Sequence, residues 1–158
     1  MSGAGRTCVR FAGYAAIFDR PDRGGDVVRA GAFARSLRRR PSTVPLLWQH
    51  DVCRPVGRIE YLKEDRRGLR VIARLSDGTS GREAAALLGE GAVAGLSFGY
   101  RVRKATGANR RAGEPGVREL TDVELVEVSL VSVPMQPQAR VHAVERRDSR
   151  PPRIIGAE

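Results

Sequence analysis

The chain has 158 residues, of which 41% are hydrophobic and 29% charged, and this length and composition fit one folded domain rather than a disordered chain. Lysine and arginine together number 28 against 18 acidic residues, and the net charge of +10 favours an acidic partner without choosing among nucleic acid, a membrane surface and protein. Two cysteines, Cys8 and Cys53, exclude a disulfide framework or a cysteine metal cluster, and no apolar run is long enough to span a bilayer.

The first third of the chain predicts two strands with a helix between them. Residues 8–18 are apolar enough for a strand, which bends at Gly13, and a polar loop follows. Residues 30–40 carry apolar side chains four positions apart, and this spacing predicts a helix. The run "STVPLLWQH" then predicts a buried strand that ends at His50.

The rest of the chain predicts more strands and a second helix. Residues 55–76 read as a hairpin with a turn at "EDRRG". Ser80 is a plausible N-cap for a helix that stops at the glycine at 89 or 91. Residues 92–105 alternate as a strand, and residues 117–134 form a long β-rich run that a polar patch near Thr121 and Asp122 interrupts.

These elements predict a mainly β or α+β domain, because strands dominate and no βαβ rhythm appears. Their spacing favours a closed or nearly closed antiparallel β-barrel with a few helices packed around it. We expect a flexible leader at 1–8, a folded domain at 9–142, and a basic, proline-containing mobile tail at 143–158.

Two candidate catalytic residues lie at strand-like runs. An imidazole titrates at about pH 6.5, so His50 is a natural general base, although a histidine hydrogen-bonded to backbone is the alternative. Ser97 in "AGLSFGY" has small neighbours that let a substrate and backbone N–H groups approach, although it also fits a small filler residue. The letters match G-x-S-x-G, but a strand does not provide the geometry of a nucleophile elbow.

A third candidate is an acid in the apolar run "VELVEVSLV", where Glu124 and Glu127 need partners if they are buried. Strand alternation puts Glu127 and Ser129 on one face, together with Leu125 and Val131. Such an acid can orient a histidine, as in a Ser-His-acid triad, and the alternative is an edge-strand glutamate in water.

A serine, a histidine and an acid are together the components of an activated nucleophile. Five blocks that span about residues 9–142 resemble, in order, those of the tailed-bacteriophage prohead proteases, the capsid maturation proteases. The blocks are "GYAAIFDRPDRGGDVVRAGAFARSL", "VPLLWQHD", "PVGRI", "GREAAALLGEGAVAGLSFGYRV" and "LTDVELVEVSLVSVPMQPQARV". This resemblance implies a serine endopeptidase with a fold similar to that of herpesvirus assemblin.

The resemblance also implies roles for particular residues. Ser97 falls on the nucleophile, His50 on the general base and acid, and Glu127 on the acid that orients the histidine. Assemblin uses a second histidine as its third member, so His142 is an alternative to Glu127, and Glu124, the other acid of the same run, is a second alternative. Neither a metal nor another cofactor is implied.

The implied partners are the major capsid protein with its scaffold segment, and the protease itself through autoprocessing. A homodimer is a further candidate, because assemblin-like enzymes are activated by dimerisation. No apolar stretch follows Met1, so we expect no signal peptide, no membrane contact, and action in the cytoplasm inside the assembling prohead.

The positive charge allows three further interpretations. It attracts the enzyme to acidic scaffold or capsid segments, with a contribution from Arg146, Arg147, Arg150 and Arg153 in the predicted tail. In the second interpretation, the positive charge reflects only an arginine-rich proteome and serves no partner. In the third interpretation, the charge serves nucleic-acid binding by a β-barrel. This function is disfavoured, because Trp48, Phe98 and Tyr100 are predicted to be core residues rather than exposed rings on which bases stack. A catalytically inactive internal assembly factor is the other alternative to the protease.

Overall fold

The computed structural model describes residues 6–107 and 116–148. Within these ranges the chain forms eight strands, one α-helix and two short 3₁₀ turns. The strands are β1 Thr7–Ile17, β2 Asp26–Val28, β3 Pro45–Trp48, β4 Asp51–Glu64, β5 Gly68–Leu75, β6 Gly95–Thr106, β7 Arg118–Val131 and β8 Val141–Asp148. The helix α1 spans Thr79–Gly89, and the 3₁₀ turns span Ser36–Arg38 and Pro41–Thr43.

All eight strands belong to one sheet, in which they follow the order β2-β7-β3-β4-β5-β1-β8 while β6 pairs with β7. β2 and β3 run parallel to β7, next to its first and last residues respectively, and the other pairs are antiparallel. Because β6 pairs along the length of β7, β2 and β3 share the opposite edge of that strand. β7 therefore joins the strands that carry the candidate site residues.

The mainly β class is confirmed, but the closed or nearly closed antiparallel barrel is not supported. The sheet is mixed and open: β6 and the three-residue strand β2 form ladders only with β7, and the exposed, charged strand β8 forms one only with β1. β6 approaches the chain before β8 through an isolated bridge between Gly95 and Arg140 and through single backbone hydrogen bonds, rather than through a ladder. A charged edge strand resists further pairing, which is a physical reason for the open edge.

The predicted hairpin is confirmed as β4 and β5. Its turn is held by the Asp65 carboxylate, which accepts hydrogen bonds from the backbone N–H groups of Arg67 (2.8 Å) and Gly68 (3.1 Å). Gly68 is required by close approach, because an added Cβ would lie 1.9 Å from the carbonyl oxygen of Ala16 on β1.

The second predicted helix is confirmed as α1, with one difference at its start. Gly78 is the N-cap and makes no side-chain capping bond, whereas Ser80 lies inside the helix. Beyond the end of the helix, Gly91 has a φ of 74°, a conformation that glycine adopts without strain.

The first predicted helix is wrong, because residues 30–40 contain only the short 3₁₀ turn at Ser36–Arg38. The backbone N–H groups of Gly31 and Phe33 donate to the Glu64 carboxylate, and the Ser36 hydroxyl donates to the carbonyl oxygen of Val123. These tertiary hydrogen bonds hold the segment against β4 and β7 in a conformation that the local spacing does not specify.

Within the run at 117–134, Arg118–Val131 form one continuous strand, so the predicted interruption near Thr121 and Asp122 is also wrong. Irregular pairing with β6 absorbs the polar residues: the register shifts near Lys104, and the Thr121 hydroxyl donates to the carbonyl oxygen of Lys104. A long strand with a changing register can thus carry polar and apolar residues without a break.

The first and last strands extend beyond the bounds 9–142 that the sequence pattern predicts for the folded domain. β1 begins at Thr7, inside the expected leader, and β8 includes residues 143–148 of the expected tail. Residues 1–5 and 149–158, which hold the rest of both segments, lie outside the described residues.

The core is formed by buried side chains of β1, β3, β4, β5, β6 and β7, together with Phe33 and residues of α1. Its largest fully buried side chains are Phe11, Phe33, Leu46, Ile59, Leu69, Leu96, Leu120, Leu125 and Leu130. Trp48, Phe98 and Tyr100 are partly buried against this cluster, as the sequence analysis expects. In the part of the chain that the structure describes, no helix has the length and apolar character that crossing a membrane requires.

Candidate active site

His50 lies in a tight turn directly after β3. Gln49 and His50 have φ angles of 50° and 61°, in the left-handed region that non-glycine residues rarely occupy. The Gln49 backbone N–H donates to the carbonyl oxygen of Leu130 at 2.9 Å, and its side-chain amide exchanges two hydrogen bonds with Ser132. These bonds to the end of β7 hold the strained turn in place.

The turn brings the His50 imidazole onto Glu127 of β7. The imidazole Nδ1 makes a short hydrogen bond to Glu127 Oε1, with Nδ1–H donating when the ring carries a proton there. Glu127 is 6% exposed, whereas the His50 side chain is 43% exposed. The hydrogen bond to the Glu127 carboxylate raises the pKa of His50 above its usual value, and partial burial of the ring opposes this effect.

The Glu127 carboxylate is held by a second side chain and fits beside a glycine. Its other oxygen, Oε2, accepts a hydrogen bond of 2.6 Å from the Ser129 hydroxyl, which in turn accepts a hydrogen bond of 3.1 Å from the His50 backbone N–H. Gly99 faces Glu127 across the β6–β7 ladder, and a Cβ at position 99 would lie 2.6 Å from Glu127 Oε1. The acid therefore occupies space that a side chain at position 99 would fill.

Ser97 lies on β6 directly opposite Ser129. Residues paired in this way share a face of the sheet with Cβ atoms about 4.5–5.5 Å apart, so Ser97 lies next to the group formed by His50, Glu127 and Ser129. Ser97 is 4% exposed, and its hydroxyl makes no hydrogen bond to any residue that the structure describes. The bond from Ser97 to His50 that a triad requires is thus not formed here; such bonds are often long before substrate binds.

A cavity of about 50 Å³ adjoins Ser97. Tyr100, Met135 and Gln136 are among its lining residues. Gln136 is 3% exposed and clamps the loop after β7 to β1, because its amide oxygen accepts from Ile17 N–H and its amide nitrogen donates to the Ile17 carbonyl oxygen. The loop beside Ser97 is therefore held by buried hydrogen bonds.

The two alternative third members lie elsewhere. Glu124 is at the surface, 3.8 Å from both Arg101 and Arg103. The His142 ring packs on Tyr14 of β1, with 5.8 Å between ring centroids. Neither contacts His50 or Ser97 through any hydrogen bond or ion pair in the described ranges, so the structure brings Glu127, and not these two residues, to the imidazole.

Both cysteines are free, and the described residues hold no group of three or more His, Cys, Asp and Glu side chains that suits a metal ion.

Sequence reasoning did not single out Gly99, Gln49 or Gln136. For Ser129 the sequence does give an indication, since alternation along β7 places this residue on the same face as Glu127. The other three act through pairing and loop contacts that no local pattern specifies.

Comparisons with known proteins agree with this architecture. Residues 2–151 match the family described as Caudovirus prohead serine protease. The chain is 32% identical over 141 residues to the prohead protease of Enterobacteria phage HK97, a match that covers 87% of this chain and 61% of that protein. The chain thus spans less than two thirds of the length of this relative.

Two solved structures share the fold at low identity. The bacteriophage T4 capsid assembly protease gives a TM-score of 0.64 at 16% identity, covering 79% of this chain and 82% of that one. The KSHV protease in complex with a hexapeptide phosphonate inhibitor gives a TM-score of 0.58 at 13% identity, covering 87% of this chain and 65% of that one.

Proposed function

Because the chain belongs to the Caudovirus prohead serine protease family, we propose that it is a serine endopeptidase that processes capsid or scaffold protein, and itself, inside an assembling prohead. The observation that carries this proposal is the buried Glu127 carboxylate bonded to the His50 imidazole, with Ser97 next to them on the same face of the sheet.

In the proposed mechanism Ser97 is the nucleophile. His50 takes the hydroxyl proton as Ser97 Oγ attacks the scissile carbonyl carbon, and the acyl-enzyme forms when His50 gives this proton to the leaving amine. Water then attacks the ester with His50 again as base, which releases the carboxylic acid and restores Ser97. Backbone N–H groups that stabilise the developing oxyanion contribute about 10²–10³ in rate.

Glu127 has an electrostatic and an orienting role in this mechanism. Its carboxylate is hydrogen-bonded to Nδ1 of the imidazole, so Nε2 is the nitrogen that remains to accept the proton of Ser97. The carboxylate also stabilises the imidazolium that forms. Because Glu127 is buried while His50 is half exposed, the pair is shielded on the side of the sheet and open on the side where substrate arrives. This asymmetry supports catalysis over a purely structural ion pair.

The substrates we propose are the major capsid protein with its scaffold segment and the protease itself, in the cytoplasm within the prohead, and a homodimer is the form to test for activation. The assembled His50–Glu127 pair disfavours the inactive assembly factor.

The test is co-expression of the protein with the capsid and scaffold proteins encoded beside it, followed by intact mass measurement. Wild type is expected to shorten the capsid or scaffold protein, and Ser97→Ala to leave it at full length. Ser80→Ala, inside α1, is the matched control and should process as wild type does. Equal processing by wild type and Ser97→Ala would show that another residue is the nucleophile.

A further inference from the structure

We propose that Ser129 is a positioning residue of this active site, whose hydroxyl ties the Glu127 carboxylate to the backbone of His50 and thereby fixes the imidazole relative to Ser97. The kinetic part of this inference rests on the proposed protease function, whereas its structural part does not.

The hydroxyl of Ser129 uses both of its hydrogen-bonding capacities within the site. It donates to Glu127 Oε2 at 2.6 Å and accepts from the His50 backbone N–H at 3.1 Å. The two Glu127 oxygens are thus divided, with Oε2 held by Ser129 and Oε1 left for the imidazole. One hydroxyl therefore constrains the rotation of the acid and the position of the base together.

Burial makes this arrangement difficult to replace. Ser129 is 0% exposed, and its neighbours along β7, Val128 and Leu130, are equally buried apolar residues. Solvent cannot readily supply a substitute for the lost hydroxyl, so Glu127 Oε2 and the His50 N–H would each lose a partner inside the protein.

The position of Ser129 in the sheet connects all three candidate catalytic residues. It pairs with Ser97 on β6 and with Leu47 on β3, two residues before the turn that carries His50. Because His50 has a φ of 61°, its turn depends on such tertiary anchors rather than on backbone preference. Loss of the anchor would let the imidazole move away from Ser97.

The expected consequence of Ser129→Ala is a lower rate of peptide-bond cleavage at saturating substrate. A misplacement of about 1 Å in a reacting group costs on the order of 10²-fold in rate, so we expect a fall of roughly 10- to 100-fold in kcat. KM should change little, because Ser129 is buried and does not reach the substrate.

Ser36→Ala is a matched control. Ser36 is also a buried serine whose hydroxyl donates one hydrogen bond and accepts one, at 3.2 Å from the Val123 carbonyl oxygen and 2.9 Å from the Leu125 nitrogen, both on β7. It does not touch Glu127 or His50. A loss of stability that acts through β7 alone should therefore appear in both variants, whereas a positioning effect should appear only in Ser129→Ala.

The decisive measurement is a histidine NMR titration of the full chain carried out beside the cleavage assay. The sequence holds only two histidines, so His142 serves as an internal reference for His50. In Ser129→Ala we expect the pKa of His50 to fall from its raised value, because the contact with Glu127 loosens. Ser36→Ala should leave the titration of His50 and kcat unchanged.

A wild-type titration of His50 in Ser129→Ala, or a kcat within twofold of wild type, would overturn the proposal. If Ser129→Ala does not fold, Ser129→Cys takes its place, because the thiol fills similar space but is a weak donor. If wild type itself cleaves nothing, the protease proposal fails, and the titration still decides the role of Ser129.

Discussion

A single missing Cβ atom at position 99 makes room for the acid of the proposed triad. In Gly99→Ala the new Cβ would lie 2.6 Å from Oε1, 3.0 Å from Cγ and 3.1 Å from Cδ of Glu127, so the carboxylate must move away from His50. We expect processing of the capsid or scaffold protein to slow by about 10²-fold, as for other misplaced catalytic groups. The measurement is the time course of intact masses after co-expression.

Gly78→Ala is the control for this substitution. Gly78 precedes α1 with a φ of −81°, and the nearest atom to an added Cβ is Ser76 Oγ at 3.8 Å. This variant should process at the wild-type rate. An equally fast Gly99→Ala would show that the position of Glu127 does not limit catalysis.

The pH dependence of cleavage follows from the contact between His50 and Glu127. A general base must be neutral, and the bond to Glu127 raises the pKa of His50, so protonation removes the base at a higher pH than for a free imidazole. We therefore expect kcat/KM to fall, as pH is lowered, with an inflection above about 6.5. Cleavage rates across this pH range, with circular dichroism to show that the protein stays folded, are the measurement.

His142→Gln separates the two histidines. It removes the only other imidazole in the chain, which packs on Tyr14 away from the site, and should leave the inflection where wild type has it. An inflection at or below that of free imidazole in wild type would contradict the role of the Glu127 contact.

At the scale of secondary-structure elements, the short strand β2 depends on one buried carboxylate. Asp26 is 7% exposed and accepts two hydrogen bonds from the Arg118 guanidinium, at 2.8 and 2.7 Å, and one of 2.7 Å from the Tyr100 hydroxyl. Burial and this bond to Asp26 raise the pKa of Tyr100. These contacts tie β2, which pairs over only three residues, to β7 and β6.

We expect Asp26→Ala to lower the free energy of unfolding by about 3 kcal/mol, at the low end of the range for a broken buried pair because Arg118 stays partly solvated. Urea unfolding followed by the fluorescence of Trp48 is the measurement. Asp77→Ala, which removes a carboxylate paired with Arg6 and Arg82 at the surface, is the control and should change stability little. Equal effects of the two substitutions would contradict the anchoring role of Asp26.

The elements that were predictable from the sequence are those that local pattern determines. Alternation and turn chemistry specify the hairpin of β4 and β5, and helix formers bounded by glycines specify α1. The 3₁₀ turn at Ser36–Arg38, the parallel pairing of β3 with β7 and the strand β8 depend on contacts with distant residues. Local spacing does not encode such contacts.

The same division applies to the candidate site. Ser97, His50 and Glu127 were candidates from their strand-like runs, and the resemblance to a family gave them roles. Alternation along β7 adds Ser129 to the face of Glu127. The turn at Gln49 and His50 was not predictable, because its left-handed backbone is held by bonds to Leu130, Ser129 and Ser132 of the far strand and the loop after it. Their roles in catalysis remain predictions until the variants are measured.

At the scale of the whole molecule, the net charge is +10, and some of the arginines contact other residues through their side chains whereas others do not. Arg118 and Arg29 form ion pairs, and Arg146 donates to the carbonyl oxygen of Ala85 in α1. By contrast, Arg38 and Arg40 are exposed, and their guanidinium groups make no hydrogen bond or ion pair with any residue that the structure describes. Such arginines are available to a partner without cost to the fold.

The last prediction is that positive charge at Arg38 and Arg40, and at Arg150 and Arg153 outside the described residues, carries the protein into the prohead. Replacing Arg38, Arg40, Arg150 and Arg153 with glutamine removes four positive charges, and we expect severalfold fewer copies per prohead, because attraction to acidic scaffold or capsid segments weakens. The copies are counted by quantitative mass spectrometry of purified proheads, in a Ser97→Ala background that prevents processing. Lysine at the same four positions keeps the charge and should restore packaging, while added salt during assembly should reduce it for the parent protein. Equal copy numbers for the glutamine, lysine and parent proteins would show that shape recognition, and not charge, selects this protein for the capsid interior.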